Sequence, residues 1–426
     1  MRLNQWTFGL AAAGVIRIAS VAGAEEATSP VLTALSSTTL SGYVDTSAIW
    51  RPGTGNLTGA GAFTGGAKQD GFNLNVIKLT LEKPLDEGQW SAGYKVDLLF
   101  GPDANVFATT SSGVNTSDFG IKQAFIALRA PIGNGLDFKL GVWDTIIGYE
   151  VFESPNNPNY SRSYGWGIEP TTQTGLLASY RITDNVSVAA GIANSRGPTI
   201  NGRSTYFNYP GATKAGINAE SRKTYMGSVT LTAPDSFGSL KGAAFYAGII
   251  DGSGSGSADI GSTIPNGIIG PAPASRAINY YVGVTVPTTL TGLSVGASYD
   301  YLGTSKKEVD GVEVVSSTYA NATALYLSYQ ATEKLKLNTR AEYATGTIPF
   351  NAEPYADFQV FAATFTADYS LWANVLSRLE FRWDHDLSQR SDGALFDGNV
   401  RDFGESDFLN TRKNLFTIAL NLVYKF

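Results

Sequence analysis

The 426-residue chain has a formal net charge of −6, and only 16% of its residues are charged, against about 25% in an ordinary soluble protein. That length admits either two or three soluble domains or one large barrel, but so few charges solvate a soluble surface poorly, and the acidic balance argues against nucleic-acid partners. With no cysteine, neither a disulfide framework nor a thiolate zinc site can form.

The chain opens "MRLNQWTFGLAAAGVIRIASVAGAEE". Arg2 supplies a positive start, Trp6 to Ile16 an apolar stretch, and Ala22-Gly23-Ala24 a small-residue cleavage site. We therefore expect an export signal over 1–24, a short polar lead over 25–38 and a single domain over 39–426. Beyond the start no run of 18 apolar residues occurs, which excludes helical membrane spans there.

From residue 39 the sequence falls into stretches of about ten residues that alternate with period two, the pattern of half-exposed strands. In "QWSAGYKVDLLF", Trp90, Ala92, Tyr94, Val96, Leu98 and Phe100 oppose Ser91, Gly93, Lys95 and Asp97. "LKLNTRAEY" and "SRLEFRWDHD" repeat the pattern further on. The predicted strands are 39–50, 71–83, 89–100, 120–130, 136–150, 172–181, 186–196 and 223–233. They continue at 240–250, 276–287, 292–303, 319–330, 335–345, 357–369, 375–386 and 413–426. In 71–83 the apolar phase passes from Phe72, Leu74 and Val76 to Ile77, Leu79 and Leu81, as a β-bulge would produce.

The connections decide between a soluble sandwich and a membrane barrel. Long ones (51–70, 101–119, 151–171, 197–222, 251–275, 304–318, 346–356, 387–412) alternate without exception with short ones such as "PIGNG" and "TDN". A sandwich has no reason to sort its loops in this way, whereas a transmembrane barrel does. We expect an all-β fold: a single transmembrane, antiparallel, up-and-down β-barrel of about 16 strands with short periplasmic turns and long extracellular loops. Only a closed sheet satisfies its backbone in hydrocarbon, so 413–426 should pair with 39–50. Trp50, Trp90, Tyr180, Tyr280, Tyr301, Trp383 and Tyr424 lie near strand ends, where interfacial girdles form.

A barrel of this size leaves an aqueous lumen. Pore-lining candidates on the charged face are Lys95, Asp97, Asp137, Lys139, Arg181, Lys336, Arg340, Glu342, Arg378, Glu380, Arg382 and Asp384. Asp45, Arg129, Lys241, Asp300 and Lys425 share that face, and the near balance of signs leaves ion preference open. The third long connection contains Pro155, Pro158 and Pro170 to stiffen it, and Tyr160, Tyr164 and Trp166 to pack. We expect it to fold inward and narrow the channel, with Glu153, Arg162 and Glu169 supplying charge, because irregular backbone is tolerated where it lines a cavity.

This segment resembles the signature of the OmpL-like putative beta-barrel porin-2 family. Gly148-Tyr149-Glu150 ends a strand, Asn157-Pro158 and Tyr160-Ser161-Arg162-Ser163 follow, and Thr172-Gln173-Thr174-Gly175 opens the next. Gln173 stands where the family often has His. The resemblance implies an outer-membrane porin of the bacterial cell. On that reading the partners are outer-membrane lipid, the insertion machinery, small hydrophilic solutes and a possible homotrimer. Substrate-selective passage (of a sugar or an anion, for example) is the alternative, and a barrel adhesin or enzyme a more distant one. The ending "NLFTIALNLVYKF" puts Leu422, Tyr424 and Phe426 on one apolar face and looks like a signal read during barrel insertion. No cofactor or metal is expected. On a strand His385 points away from Asp384 and Asp386, so "DHD" makes no dyad, and the glycine-rich "DGSGSGSADIG" has neither the helix of a phosphate cradle nor calcium-loop spacing.

Overall fold

Period-two alternation in sequence becomes two faces of one wall. On the strand Val375–Asp386, Leu379 and Phe381 are exposed while Arg378, Glu380, Arg382 and Asp384 are buried inside. The computed structural model describes residues 37–52, 68, 70–107, 118–203, 222–254, 276–309, 312–315, 317–348, 356–388 and 413–426. The expected export signal and most of the lead lie outside these residues.

The strands in chain order are β1 (Thr39–Trp50), β2 (Gly71–Lys83), β3 (Ser91–Phe100), β4 (Phe119–Ala130), β5 (Leu136–Asp144) and β6 (Thr172–Thr183). Next come β7 (Val186–Ala193), β8 (Thr224–Thr232), β9 (Ala244–Ser253), β10 (Arg276–Pro287), β11 (Leu293–Thr304), β12 (Lys307–Val309) and β13 (Val312–Val315). The last are β14 (Tyr319–Gln330), β15 (Leu335–Ile348), β16 (Ala356–Trp372), β17 (Val375–Asp386) and β18 (Asn414–Lys425). All but β12 and β13 form one closed antiparallel barrel of 16 strands in sequence order. Closure pairs β1 with β18, from Tyr43 opposite Lys425 to Trp50 opposite Ile418. With every barrel strand paired on both sides, no edge remains in the barrel.

The expected bulge is in place: Val76 pairs with Asp45 and Leu74 with Thr46, leaving Asn75 as the extra residue. Its effect differs in one detail from the expectation, because Val76 is buried on the inner face rather than continuing the apolar outer one. Lys78 and Thr80 thereby turn inward. Several element bounds also depart from the sequence reading. β5 stops at Asp144 instead of running to residue 150. β9 starts at Ala244 because a 3₁₀ turn takes Asp235–Leu240. Lys241, expected in the lumen, pairs instead with Asp235 at 2.8 Å on that exposed turn. The connection between β11 and β14 holds the small hairpin β12–β13, and a short helix α1 (Pro102–Phe107) follows β3.

Outside, the wall is apolar, with Phe72, Trp50, Trp90 and Trp372 strongly exposed. The buried apolar residues are gathered inside the barrel. Tyr43, Ile49, Val76 and Leu99 from the wall pack against Phe152, Tyr160 and Trp166 from the segment between β5 and β6. Among the described residues no helix is long and apolar enough to cross a membrane.

Candidate channel site: an inward segment on a charged wall

β5 hands over to residues 145–171, which enter the barrel and return to β6. The neck is closed by the Thr145 amide donating to the Thr171 carbonyl at 3.0 Å. Gly148 has φ of +118°, and a Cβ there would run into the Glu169 carboxylate, so the turn inward needs a residue without a side chain. Inside, the segment makes a 3₁₀ turn at Ser154–Asn156 and a short helix α2 (Tyr164–Ile168), whose N-terminus is capped by the Ser163 hydroxyl accepting from the Trp166 amide. The constriction candidates Glu153, Tyr160, Arg162, Tyr164, Trp166 and Glu169 are all buried within the barrel.

Irregular backbone in a barrel interior must find a partner for every N–H and C=O. Here the far wall divides that work by charge. Arginines take the carbonyls: Arg340 donates to Ser161 O (2.9 Å) and Arg162 O (3.1 Å), and Arg382 donates to Arg162 O (2.7 Å). Arg378 donates to Ser154 O (2.7 Å) and Asn157 O (2.9 Å). Carboxylates take the amides: Glu380 accepts from Tyr160 N (2.6 Å) and Ser161 N (3.0 Å), and Glu342 from Tyr164 N (2.7 Å). The Tyr164 hydroxyl donates to Asp384 at 3.0 Å.

The wall charges also pair with one another. Arg340 lies 2.8 Å from Glu150 and 2.9 Å from Glu342, Arg382 2.8 Å from Asp384, and Arg378 3.0 Å from Asp368. The three guanidinium groups are 0–1% exposed. Arg340, Glu342, Arg378, Glu380, Arg382 and Asp384 therefore face inward as their alternation requires, but the segment covers them, and they do not line open water. A buried charge needs such partners, because an unpaired one is costly. Arg162 also departs from the expected role. Its guanidinium turns back on its own segment, donating to the carbonyls of Val151, Phe152 and Tyr160.

On the near wall Glu153 binds Lys78 of β2 and stands 3.5 Å from Lys122 of β4. Lys78 also lies 3.1 Å from Asp97, and Lys122 pairs with Asp144. Burial alone would raise the Glu153 carboxyl, yet Lys122 and Lys78 outweigh it and hold Glu153 well below the usual carboxylate range. At the other end of the segment the balance reverses. Burial, and then the facing carboxyl of Asp300, push Glu169 well above that range. Neighbouring Ile168 O accepts from Asn279 Nδ2 at 3.0 Å and Arg196 Nη2 at 3.2 Å.

The half of the lumen beside the short turns is different. Arg129 and Asp137 face each other at 2.7 and 2.8 Å and are about a third exposed. Lys95 is part-exposed, 3.7 Å from Asp97. Lys139 stands over the Phe125 ring at 4.9 Å. Lys336 is opposite Asp368 in register, and Arg181 and Lys425 are exposed.

Lys78, Lys122, Asp144 and Glu150 were not among the sequence candidates. The bulge hid Lys78 by breaking the phase of its strand, and Glu150 was placed at a strand end when it is in fact a hub. It accepts from Arg340, Tyr326 and Ser163. Leu422, Tyr424 and Phe426 are exposed on the outer face. The Phe426 backbone exchanges hydrogen bonds with Gly42 at 2.9 and 3.0 Å. His385 points outward to Asn414 at 2.8 Å, on the opposite face from buried Asp384 and Asp386.

A family profile described as putative beta-barrel porin-2, OmpL-like, matches residues 37–426. The chain belongs to this porin family. It is accordingly an outer-membrane barrel of the porin type, with the short turns at the periplasmic end and the long loops outside. No curated protein matches the sequence significantly. Among solved structures, the anion-selective porin from Comamonas acidovorans is similar at 12% identity and a TM-score of 0.55, over 92% of this chain and 99% of that one. The outer membrane channel DcaP of Acinetobacter baumannii is similar at 12% identity and 0.54, over 91% and 97%. OmpT of Vibrio cholerae, in its trimer form, is similar at 13% and 0.51, over 91% and 99%. At such identities the likeness concerns the fold.

Proposed function

We propose that this porin passes small hydrophilic solutes and ions passively, down their gradients, and that residues 145–171 set the width of the passage. One observation carries the reading: a segment anchored at β5 and β6 crosses the lumen and is bonded to the opposite wall through Arg340, Arg378 and Arg382. A segment tethered at both ends and along its length narrows the lumen without needing an energy source to hold it. The polar periplasmic half, with Lys95, Lys139, Arg181, Lys336 and the Arg129–Asp137 pair, keeps water in the wider part. A homotrimer fits a barrel of this size and accords with the trimer form of the OmpT structure.

Purified protein in planar bilayers and in solute-loaded liposomes tests this. We expect ohmic conductance, and swelling rates that fall smoothly with the size of neutral solutes. Absence of conductance at every voltage would contradict the reading. Swelling with one solute and not with others of equal size would favour the substrate-selective alternative.

A further inference from the structure

The charges inside the barrel fall into two sets, and only one of them meets water. At mid-height the basic residues are consumed by carboxylates and by carbonyls of the inward segment. Nearer the periplasm the balance is different. Lys95 has Asp97 at 3.7 Å and Glu82 opposite it in register, so its charge is answered. Arg129 and Asp137 close on each other as a two-toothed pair.

What remains is positive. On the β5–β6 side, Lys139 stands over the Phe125 ring, which orders its ammonium group without neutralising it. Exposed Arg181 projects from the same wall, two residues beyond Ser179, the register partner of Asp137. On the opposite side a single carboxylate among the described wall residues, Asp368, is shared. Arg378 already bonds it at 3.0 Å, Lys336 is its register partner, and exposed Lys425 lies within electrostatic reach of both Arg378 and Asp368. Arg181 and Lys425 stand where the lumen opens, beside the turns at Asn134 and Asn374. The turns themselves carry charges of both signs, such as Asp184 and the Lys241–Asp235 pair, and beyond about 8 Å salt screens those. A confined lumen with low-dielectric walls focuses the surplus inside it.

We propose that the channel prefers small anions, and that Lys139, Arg181 and Lys425 set the preference. The inference rests on the reading of an open passive channel and adds the sign of the solute it favours. The buried arginines at mid-height contribute little to it, because their fields are cancelled by partners within 3 Å.

The test is the reversal potential of the full-length protein in planar bilayers across a tenfold KCl gradient. The wild type should reverse on the chloride side of zero. Lys139→Gln/Arg181→Gln/Lys425→Gln should lower the chloride-to-potassium permeability ratio by about twofold or more, and the corresponding triple Glu variant should carry it past unity. Lys241→Glu, on the rim, should leave it unchanged. Conduction with a wild-type reversal potential at or on the potassium side of zero would overturn this inference and leave the channel reading intact. So would a triple variant that inserts, conducts and keeps the wild-type ratio. No conductance in any protein would overturn the channel reading and the inference together.

Discussion

Arg340 and Lys139 are both inward-facing cations on barrel strands, yet they belong to regions built for opposite purposes. Arg340 is fully buried between Glu150 and Glu342 and donates to two carbonyls of the inward segment. Lys139 has one aromatic ring beneath it and the lumen beside it. The difference shows that an inward charge in a barrel is defined by what covers it and not by the face it occupies. At mid-height the charges act as backbone partners for a folded segment. In the periplasmic half, we propose, they act on what passes.

The two regions should differ most in stability. Arg340→Ala removes the guanidinium that buried Glu150 and Glu342 share and the donor to the Ser161 carbonyl, so we expect a loss of about 3–5 kcal/mol. Lys139→Ala should cost no more than about 1 kcal/mol, the scale of a part-exposed cation–ring contact. Denaturant unfolding in detergent, followed by the heat-sensitive gel mobility of folded barrels, measures both. Equal losses would mean that the two regions are not distinct.

Acid and base sharpen the contrast within the segment itself. Glu153 is held below its ordinary value by Lys122 and Lys78 against the pull of burial. Its contribution is therefore fully present above about pH 4.3, the unfolded value, and is lost as pH falls through the folded value. Glu169 is raised, first by burial and then by Asp300. Its contribution is complete below about pH 4.3 and is lost as pH rises through the folded value. Glu153→Gln should thus be less stable than the wild type at neutral pH, with the gap closing in acid. Glu169→Gln should gain on the wild type as pH rises. Unfolding midpoints across the acid-to-neutral range check both signs, and parallel profiles for the two variants would refute the assignment.

Much of the fold was legible because a lipid-facing wall enforces strict alternation and a membrane sorts loops by side. The closing pair and the bulge near Asn75 were readable for the same reason. The inner site was legible only in part. "GVWDTIIGYE" stays apolar past Asp144, because a segment entering a barrel interior also needs apolar residues, so the sequence alone carries β5 on to residue 150 and puts Glu150 on the wall. Lys78 was masked by the bulge that turns it inward. Alternation puts the arginines of β15 and β17 on the correct face, but nothing local to their strands reveals that a segment 178 to 224 residues earlier in the chain covers them. Lys241 was misplaced because "SLKGAAF" alternates like a strand start while its glycine, Gly242, adopts a φ of +78° in a turn.

The most direct test of the account is the single-channel conductance of a variant in which residues 153–169 are replaced by a short Gly-Ser linker, measured beside the wild type in the same bilayer. Glu150, the neck and all 16 strands remain in that variant. If the segment narrows the passage, conductance should rise severalfold and the size cut-off in liposome swelling should move upward. A variant that inserts, shows the heat-sensitive mobility of a folded barrel and conducts no better than the wild type would contradict it.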